Sequence, residues 1–180
     1  FADPRSTVCK LAVRDESDTY IRENVFDNII FYPENFSFVS EKSGYNHLYW
    51  YSIGGNLIKQ VTSGPYEIQD FLGSFYYSSN EESPLRSAIY KIDRKGKKIK
   101  LSSQAGTNSA QFSTNMKYFM NRYSSSDTPT VITLNDNTGK ALTTLVDNSA
   151  LKQKLKGYAI PKKEFFSFQT SDGITLNGWM

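Results

Sequence analysis

Three stretches of this 180-residue chain read alike: 36–62, 75–102 and 118–146. Each opens on an aromatic-rich run: Phe36-Ser37-Phe38-Val39, Phe75-Tyr76-Tyr77 and Tyr118-Phe119-Met120. A polar turn follows: Glu41-Lys42-Ser43-Gly44, Asn80-Glu81-Glu82-Ser83 and Ser124-Ser125-Ser126-Asp127. Next comes an alternating run, 48–53, 87–92 and 130–134, whose period of two suits a strand with opposite faces. A glycine-bearing turn then closes each hairpin: Gly54-Gly55-Asn56, Asp93-Arg94-Lys95-Gly96 and Asn135-Asp136-Asn137-Thr138-Gly139. Such turns supply the left-handed backbone positions that a tight hairpin needs. A last strand ends each unit at 57–61, 98–101 and 141–146, and a fourth is expected ahead of each aromatic run at 28–32, 67–71 and 109–112.

Equivalent positions, such as Tyr51, Tyr90 and Ile132, recur at the period of roughly 40 residues that suits four-stranded propeller blades. Outside the repeats the pattern changes. Residues 1–23 read as the tail of an earlier unit, with Val8 to Val13 as its closing strand and Arg14 to Arg22 as a polar connection. Residues 148–156 read as a short helix, with Asn148 or Ser149 as its cap, Leu151 and Leu155 as a narrow apolar stripe and Gly157 as its stop. A strand pair follows at 164–170 and 174–180, joined by Ser171-Asp172-Gly173. The chain starts at Phe1 and stops at Met180 inside an ordered run, so it reads as a segment of something longer.

Composition removes several kinds of chemistry. One cysteine, Cys9, and one histidine, His47, cannot build an internal disulfide framework or an ordinary structural zinc site. No Gly-x-Ser-x-Gly, Gly-x-Gly-x-x-Gly or P-loop sequence occurs, so the common hydrolase, dinucleotide and nucleotide signatures are missing. A net charge of +3 gives no strong field for a polyanion. No run approaches the ~20 apolar residues of a membrane helix.

Several stretches carry a resemblance. Ser40-Glu41-Lys42-Ser43-Gly44-Tyr45-Asn46-His47-Leu48-Tyr49, Phe75-Tyr76-Tyr77-Ser78-Ser79-Asn80-Glu81 and Leu145-Val146-Asp147-Asn148-Ser149-Ala150-Leu151 stand in order along the chain. So does Phe166-Ser167-Phe168-Gln169-Thr170-Ser171-Asp172-Gly173-Ile174-Thr175-Leu176-Asn177-Gly178-Trp179. Together they resemble the dipeptidyl peptidase IV branch of the prolyl oligopeptidase family, in its exported, Bacteroides-like bacterial type. The resemblance implies an all-β segment: three four-stranded antiparallel blades of an eight-bladed β-propeller, one short linker helix and the first strands of an α/β-hydrolase domain. The implied division is 1–23 for the end of a preceding blade, 24–63, 64–104 and 105–147 for three blades, 148–161 for the linker helix and 162–180 for the start of the hydrolase domain.

It also implies that the intact protein is a serine exopeptidase releasing N-terminal Xaa-Pro or Xaa-Ala dipeptides, with the propeller gating and shaping the chamber. The family's triad, oxyanion tyrosine and amine-binding glutamates would all lie outside this chain, which carries no catalytic, cofactor-binding or metal-binding residue to match them. The segment alone is therefore expected to be inactive. Implied partners are peptide substrates with Pro or Ala second, the protein's own hydrolase domain and a second copy of the intact enzyme. No cofactor, nucleic acid or membrane span is expected in this segment, and the location implied is the periplasm or another exported site. Three blades cannot close a ring, so exposed apolar outer faces and self-association are expected of the isolated segment. A free-standing β-rich module binding carbohydrate or protein is the other reading.

Glu81 and Glu82 could hold an ammonium group, but their surroundings read as a solvated turn. His47, at the head of an aromatic strand, reads as a hydrogen-bonded structural histidine rather than a general base. Cys9 reads as a small buried thiol. The basic run 91–100 (Lys91, Arg94, Lys95, Lys97, Lys98, Lys100) reads as a solvated edge rather than a phosphate-binding patch. Asn135 to Gly139 reads as a hairpin turn, since Val146 stands where a calcium loop would place glutamate. Tyr49-Trp50-Tyr51 and Phe75-Tyr76-Tyr77 read as blade packing rather than a stacking platform, and Asn35-Phe36-Ser37 is only a formal glycosylation acceptor.

Overall fold

A computed structural model describes residues 5–22, 29–93 and 95–180. The expected positions of Asn28 in a strand and of Arg94 in a turn lie outside these described residues. Each repeat is a four-stranded antiparallel meander. Blade 1 comprises β1 (Ile30–Phe31), β2 (Asn35–Ser40), β3 (His47–Ser52) and β4 (Leu57–Gln60). Blade 2 comprises β5 (Ile68–Gly73), β6 (Tyr76–Ser79), β7 (Ala88–Ile92) and β8 (Lys98–Lys100). Blade 3 comprises β9 (Thr107–Phe112), β10 (Tyr118–Ser124), β11 (Val131–Asp136) and β12 (Ala141–Val146). The helix α1 (Ser149–Leu155) and the hairpin β13 (Phe165–Gln169) and β14 (Thr175–Trp179) follow.

The blades pack face to face, and the pleat decides which residues meet. On β2, Phe36 and Phe38 face one side and Val39 the other. Val39 and Leu48 of blade 1 meet Ile68, Tyr77, Ala88 and Tyr90 of blade 2 in one core. Ile89 and Leu101 of blade 2 meet Phe119 of blade 3 in the next. Leu48, Tyr77 and Ile89 have no exposed surface; burying side chains of this kind stabilises by about 1.5–3 kcal/mol each. The far face of blade 1 carries Phe36, Phe38, Tyr49 and Tyr51 against Val13, with the Phe36 and Phe38 rings 5.5 and 5.4 Å from Tyr51.

Val8 to Val13 does not form the expected strand. It has a single bridge position, at Cys9, and no ladder among the described residues. Cys9 is exposed, not buried, because a lone extended segment shelters only the side turned to its neighbour. The segment still passes close to blade 1. A Cβ on Gly55 would fall 1.9 Å from the Ala12 carbonyl oxygen, so the hairpin of blade 1 needs glycine both for that approach and for its φ of 92°. Gly139 meets the Leu101 carbonyl at the end of blade 2 in the same way, at 2.5 Å.

A polar clasp recurs between successive units, always on the residue just before the third strand of a blade. Asn46 Nδ2 donates to the Ile68 carbonyl at 2.8 Å, and the Ile68 amide donates back to the Asn46 carbonyl. Asn108 Nδ2 donates to the Ser87 carbonyl at 2.9 Å, and Ser87 Oγ donates to the Asn108 carbonyl at 3.0 Å. After blade 3, Asn148 Nδ2 donates to the Thr130 carbonyl at 2.6 Å. The third clasp changes the helix cap expected from sequence. Asn148 is at the N-cap with φ 51°, but its side chain makes no capping bond because it is already spent on Thr130. Asp147 Oδ1 instead accepts from the Ser149 amide at 2.9 Å. The helix buries no residue, and Leu151 is exposed.

The outer surface of blade 3 exposes Met120, Leu142, Leu145 and Val146, as three blades without a further neighbour require. The clasp makes a direct stability prediction. Asn108 is 2% exposed and also bonds Gln104 and Asn121. Asn108→Ala should lower unfolding free energy by about 2–3 kcal/mol through stranded buried polar groups. Urea titration should show an earlier midpoint with an unchanged slope.

Candidate functional site

His47 begins β3 and turns inward. Its Nε2 lies 3.0 Å from the Gly64 carbonyl, which can only accept, so that nitrogen carries the proton. Its Nδ1 then accepts from Thr62 Oγ1 at 3.2 Å, while Thr62 Oγ1 accepts from the Leu48 amide at 3.0 Å. Burial holds the imidazole below its ordinary pKa and therefore neutral, with the Gly64 bond opposing in part. Both nitrogens are committed to structure, and neither meets a serine hydroxyl.

Glu81 departs from the solvated-turn reading, while Glu82 stays exposed. The β6–β7 turn folds back so that Glu81 is only 14% exposed and pairs with Lys98 at 2.7 Å, while Glu82 pairs with Lys100 at 2.6 Å. The same lysines come from the basic run, so its edge is neutralised locally rather than solvated throughout. Lys91 Nζ is likewise occupied, donating to the Asn137 carbonyl at 2.5 Å. Above Glu81 stand Tyr66, Tyr77 and Tyr90. Lys98 Nζ lies 5.4 Å from the Tyr66 ring and 5.8 Å from the Tyr90 ring, and Tyr66 meets His47 edge-on at 5.1 Å. Desolvation first, and the Glu81 carboxylate second, push Tyr66 up to about 12 and raise Tyr90 as well. Burial dominates the upward shift of Tyr77, with Tyr66 and Glu81 adding to it. None of this cluster was legible in sequence, since it joins the blade 1–blade 2 connection to a turn and an edge strand of blade 2.

The Asn135 to Gly139 stretch is a hairpin turn, closed by Asp136 Oδ1 accepting from the Thr138 and Lys140 amides. Among the described residues, no cluster of three His, Cys, Asp or Glu side chains is arranged for a metal.

A cleft of about 750 Å³ lies between blades 2 and 3 and the terminal hairpin. Arg86 and Leu85 line it from the β6–β7 turn, Tyr123 and Asp127 from the end of blade 3, and Lys163 and Phe166 from the hairpin. Gly106 lets the wall close: a Cβ there would lie 2.5 Å from the Ser124 carbonyl. Tyr123 Oη donates to the Ala105 carbonyl at 3.3 Å. Asp127 is held below the usual carboxylate range by hydrogen bonds from Ser125 and Thr128. In the hairpin, Phe166 lies over Gly178, and Lys163 Nζ sits 4.3 Å from the Trp179 ring. The cleft offers cations, hydroxyls and amides. Asp127 is its one carboxylate among the described lining residues.

The hairpin's remaining apolar surface is open: Phe165, Phe168, Leu176 and Trp179 are exposed. This aromatic face is attached to the stacked blades through a helix that buries nothing. Comparison with known proteins gives the family. Residues 1–130 match the family described as the dipeptidyl peptidase IV (DPP IV) N-terminal region.

The chain belongs to that family.

It is 40% identical to the crystal structure of Porphyromonas gingivalis dipeptidyl peptidase 4, with a TM-score of 0.92 over 99% of this chain and 26% of that one. It is 27% identical over 148 residues to a probable dipeptidyl peptidase 4 of Aspergillus flavus, and 27% identical over 149 residues to dipeptidyl peptidase 4 of Trichophyton rubrum. Each of those alignments covers 77% of this chain and 19% of the relative, so the chain spans about a fifth of the curated proteins it matches. The four-stranded sheets are blades of the propeller-type region of this dipeptidyl peptidase IV family.

The tyrosine cluster predicts an alkaline weakness. A tyrosine whose folded pKa lies above its ordinary 10.0 favours the fold fully below that pH, and the benefit is lost as pH rises through about 12. Thermal unfolding midpoints should therefore fall between those limits, and less so in Tyr66→Phe. Spectrophotometric titration should find Tyr66, Tyr77 and Tyr90 ionising above the ordinary tyrosine value; ionisation of all three at that ordinary value would contradict the cluster.

Proposed function

We propose that this chain is the end of the propeller and the start of the junction in a serine exopeptidase that releases N-terminal Xaa-Pro or Xaa-Ala dipeptides. The observation carrying this reading is the likeness to the P. gingivalis enzyme over 99% of the chain, terminal hairpin included. A free-standing carbohydrate- or protein-binding module would need no such hairpin. The stretches 1–23, 24–63, 64–104, 105–147, 148–161 and 162–180 serve as blade end, three blades, linker and first strands of the hydrolase domain. The exposed aromatic face of β13 and β14 is the part that domain would cover.

In this reading the propeller shapes and gates the chamber, and the chain contributes no triad member. His47, the one histidine, is neutral and doubly hydrogen-bonded, which supports placing the catalytic base elsewhere in the protein. The acylating serine, its histidine and its aspartate would act by the usual activated-nucleophile route in the hydrolase domain. Export and homodimerisation of the intact enzyme belong to the same proposal. Among the described residues no helix is long and apolar enough to cross a membrane.

The test compares two proteins on a Gly-Pro chromogenic substrate. The full gene product should release the chromophore, and lose it on treatment with a serine-directed phosphonate. The 180-residue chain should release none. Robust turnover by the chain alone, or a full gene product without a Gly-x-Ser-x-Gly elbow beyond Met180, would overturn the assignment.

A further inference from the structure

A second cleft, of about 610 Å³, opens between blades 1 and 2. Blade 1 supplies Trp50, Lys59 and Val61; blade 2 supplies Phe75, Tyr76 and Lys95. It is built on the β5–β6 and β7–β8 turns, whereas the cleft under the hairpin is built on the β6–β7 turn. In an antiparallel meander those turns lie at opposite ends of the strands, so the two clefts occupy opposite rims.

Its floor is held at a conformational cost. The two residues joining β5 to β6, Ser74 and Phe75, have φ of 45° and 67°. A two-residue hairpin of this kind favours Asn-Gly, and a bulky aromatic in the left-handed region is rare. Here the turn keeps Phe75 and sends its ring between the blades, edge-on to Trp50 at 5.3 Å and parallel to Tyr32 at 6.1 Å.

The charged residues lining the cleft are three lysines, Lys59, Lys91 and Lys95, and one carboxylate, Asp93. Trp50 Nε1 is buried and has no acceptor among the described residues; a buried donor left so calls for an explanation. The Lys59 ammonium reaches across from blade 1 towards the β7–β8 turn, where a Cβ on Gly96 would lie 3.3 Å from it. Neither the Lys59 nor the Lys95 ammonium has an ion-pair partner among the described residues. The third lysine, Lys91, also lines the cleft, and its ammonium is bound to the Asn137 carbonyl. The lining's one carboxylate, Asp93, turns an oxygen onto its own hairpin, accepting from the Lys95 and Lys97 amides at 2.9 and 2.8 Å.

We propose that this wedge is a docking site for an acidic peptide segment of a partner protein. An Asp or Glu carboxylate is held by Lys59, Lys95 and the Trp50 indole N–H, while an adjacent aromatic or aliphatic side chain lies against Phe75 and Tyr76. Charge complementarity and the shortage of acceptors select this occupant. Three lysines against one carboxylate favour an anion over a neutral, hydroxyl-rich sugar, and the Phe75 and Tyr76 rings favour an anion carried beside an apolar body. The wedge is open at its outer edge and larger than one aromatic side chain needs, which suits a chain passing through rather than a small acid enclosed.

The assay uses the full-length protein and a fluorescein-labelled peptide, Gly-Glu-Phe-Asp-Gly, with its Gln/Asn counterpart as control. Fluorescence anisotropy should give saturable binding of the acidic peptide, lost in the control. The double substitution Lys59→Ala, Lys95→Ala should weaken it by about tenfold or more, and raising salt from about 0.05 to about 0.3 M should weaken it further. Both lysines are exposed, so the variant should keep the parental unfolding temperature. The Trp50 indole N–H resonance, identified by its loss in Trp50→Phe, should move downfield on binding. Equal binding of acidic and amide peptides, an affinity for free phenylacetate matching that of the peptide, binding of a hyaluronan hexasaccharide in place of the peptide, or no saturation at millimolar peptide would each overturn the proposal.

Discussion

A lone four-stranded sheet has two faces and cannot bury either by itself. Every blade here depends on the face of the next. Leu48 and Ile89 have no exposed surface because they are pressed between sheets. The strands are short and made mostly of alternating residues, so their own hydrogen bonds would not hold them folded in water. The stacking of aromatic and aliphatic faces does that, and it fixes each blade's register, since a one-residue slip would turn the buried set outward.

Apolar contact alone leaves sheets free to slide. The side-chain clasps remove that freedom by tying the residue before each third strand to the first strand of the next unit. Asn46 and Ile68, then Ser87 and Asn108, repeat the geometry with different residue types. Asn148 performs the same act on Thr130, where no fourth blade follows. The chain therefore leaves the stack as if another blade were about to begin, then takes a left-handed residue and becomes helical. That substitution explains why the helix can bury nothing and still have a fixed start: it is anchored by one amide rather than by an apolar face.

Sequence reading recovered what local chemistry decides. The period-two runs, the glycine turns and the short helix lie where their patterns place them, and His47 has the satisfied hydrogen bonds expected of a structural imidazole. What it missed depends on partners distant in sequence. Cys9 was placed in a sheltered strand because alternation was read without a ladder to pair it. A turn judged alone makes Glu81 solvated, while Lys98, on an edge strand of the same blade, pairs with its carboxylate at 14% exposure; Glu82, paired with Lys100, stays exposed. Asn148 looked like a cap because Asn usually is one; a carbonyl 18 residues earlier outbid the helix amides.

Several buried polar side chains are committed to holding the blades together. Inside the stack, His47, Asn108 and Thr62 have their bonding filled by neighbours, so they hold the blades and have nothing left for a ligand. At the rims the balance changes. Beneath the hairpin, cations, hydroxyls and an ordered aspartate share a cleft with exposed aromatic rings, a mixture that suits contact with another folded surface. At the other rim three lysines face one carboxylate, and an indole N–H is withdrawn from water with no acceptor among the described residues. The Ser74–Phe75 turn beside it is held in the left-handed region, so an unaccepted donor and a strained backbone meet in the one wedge that also carries two unpaired ammonium groups among the described residues.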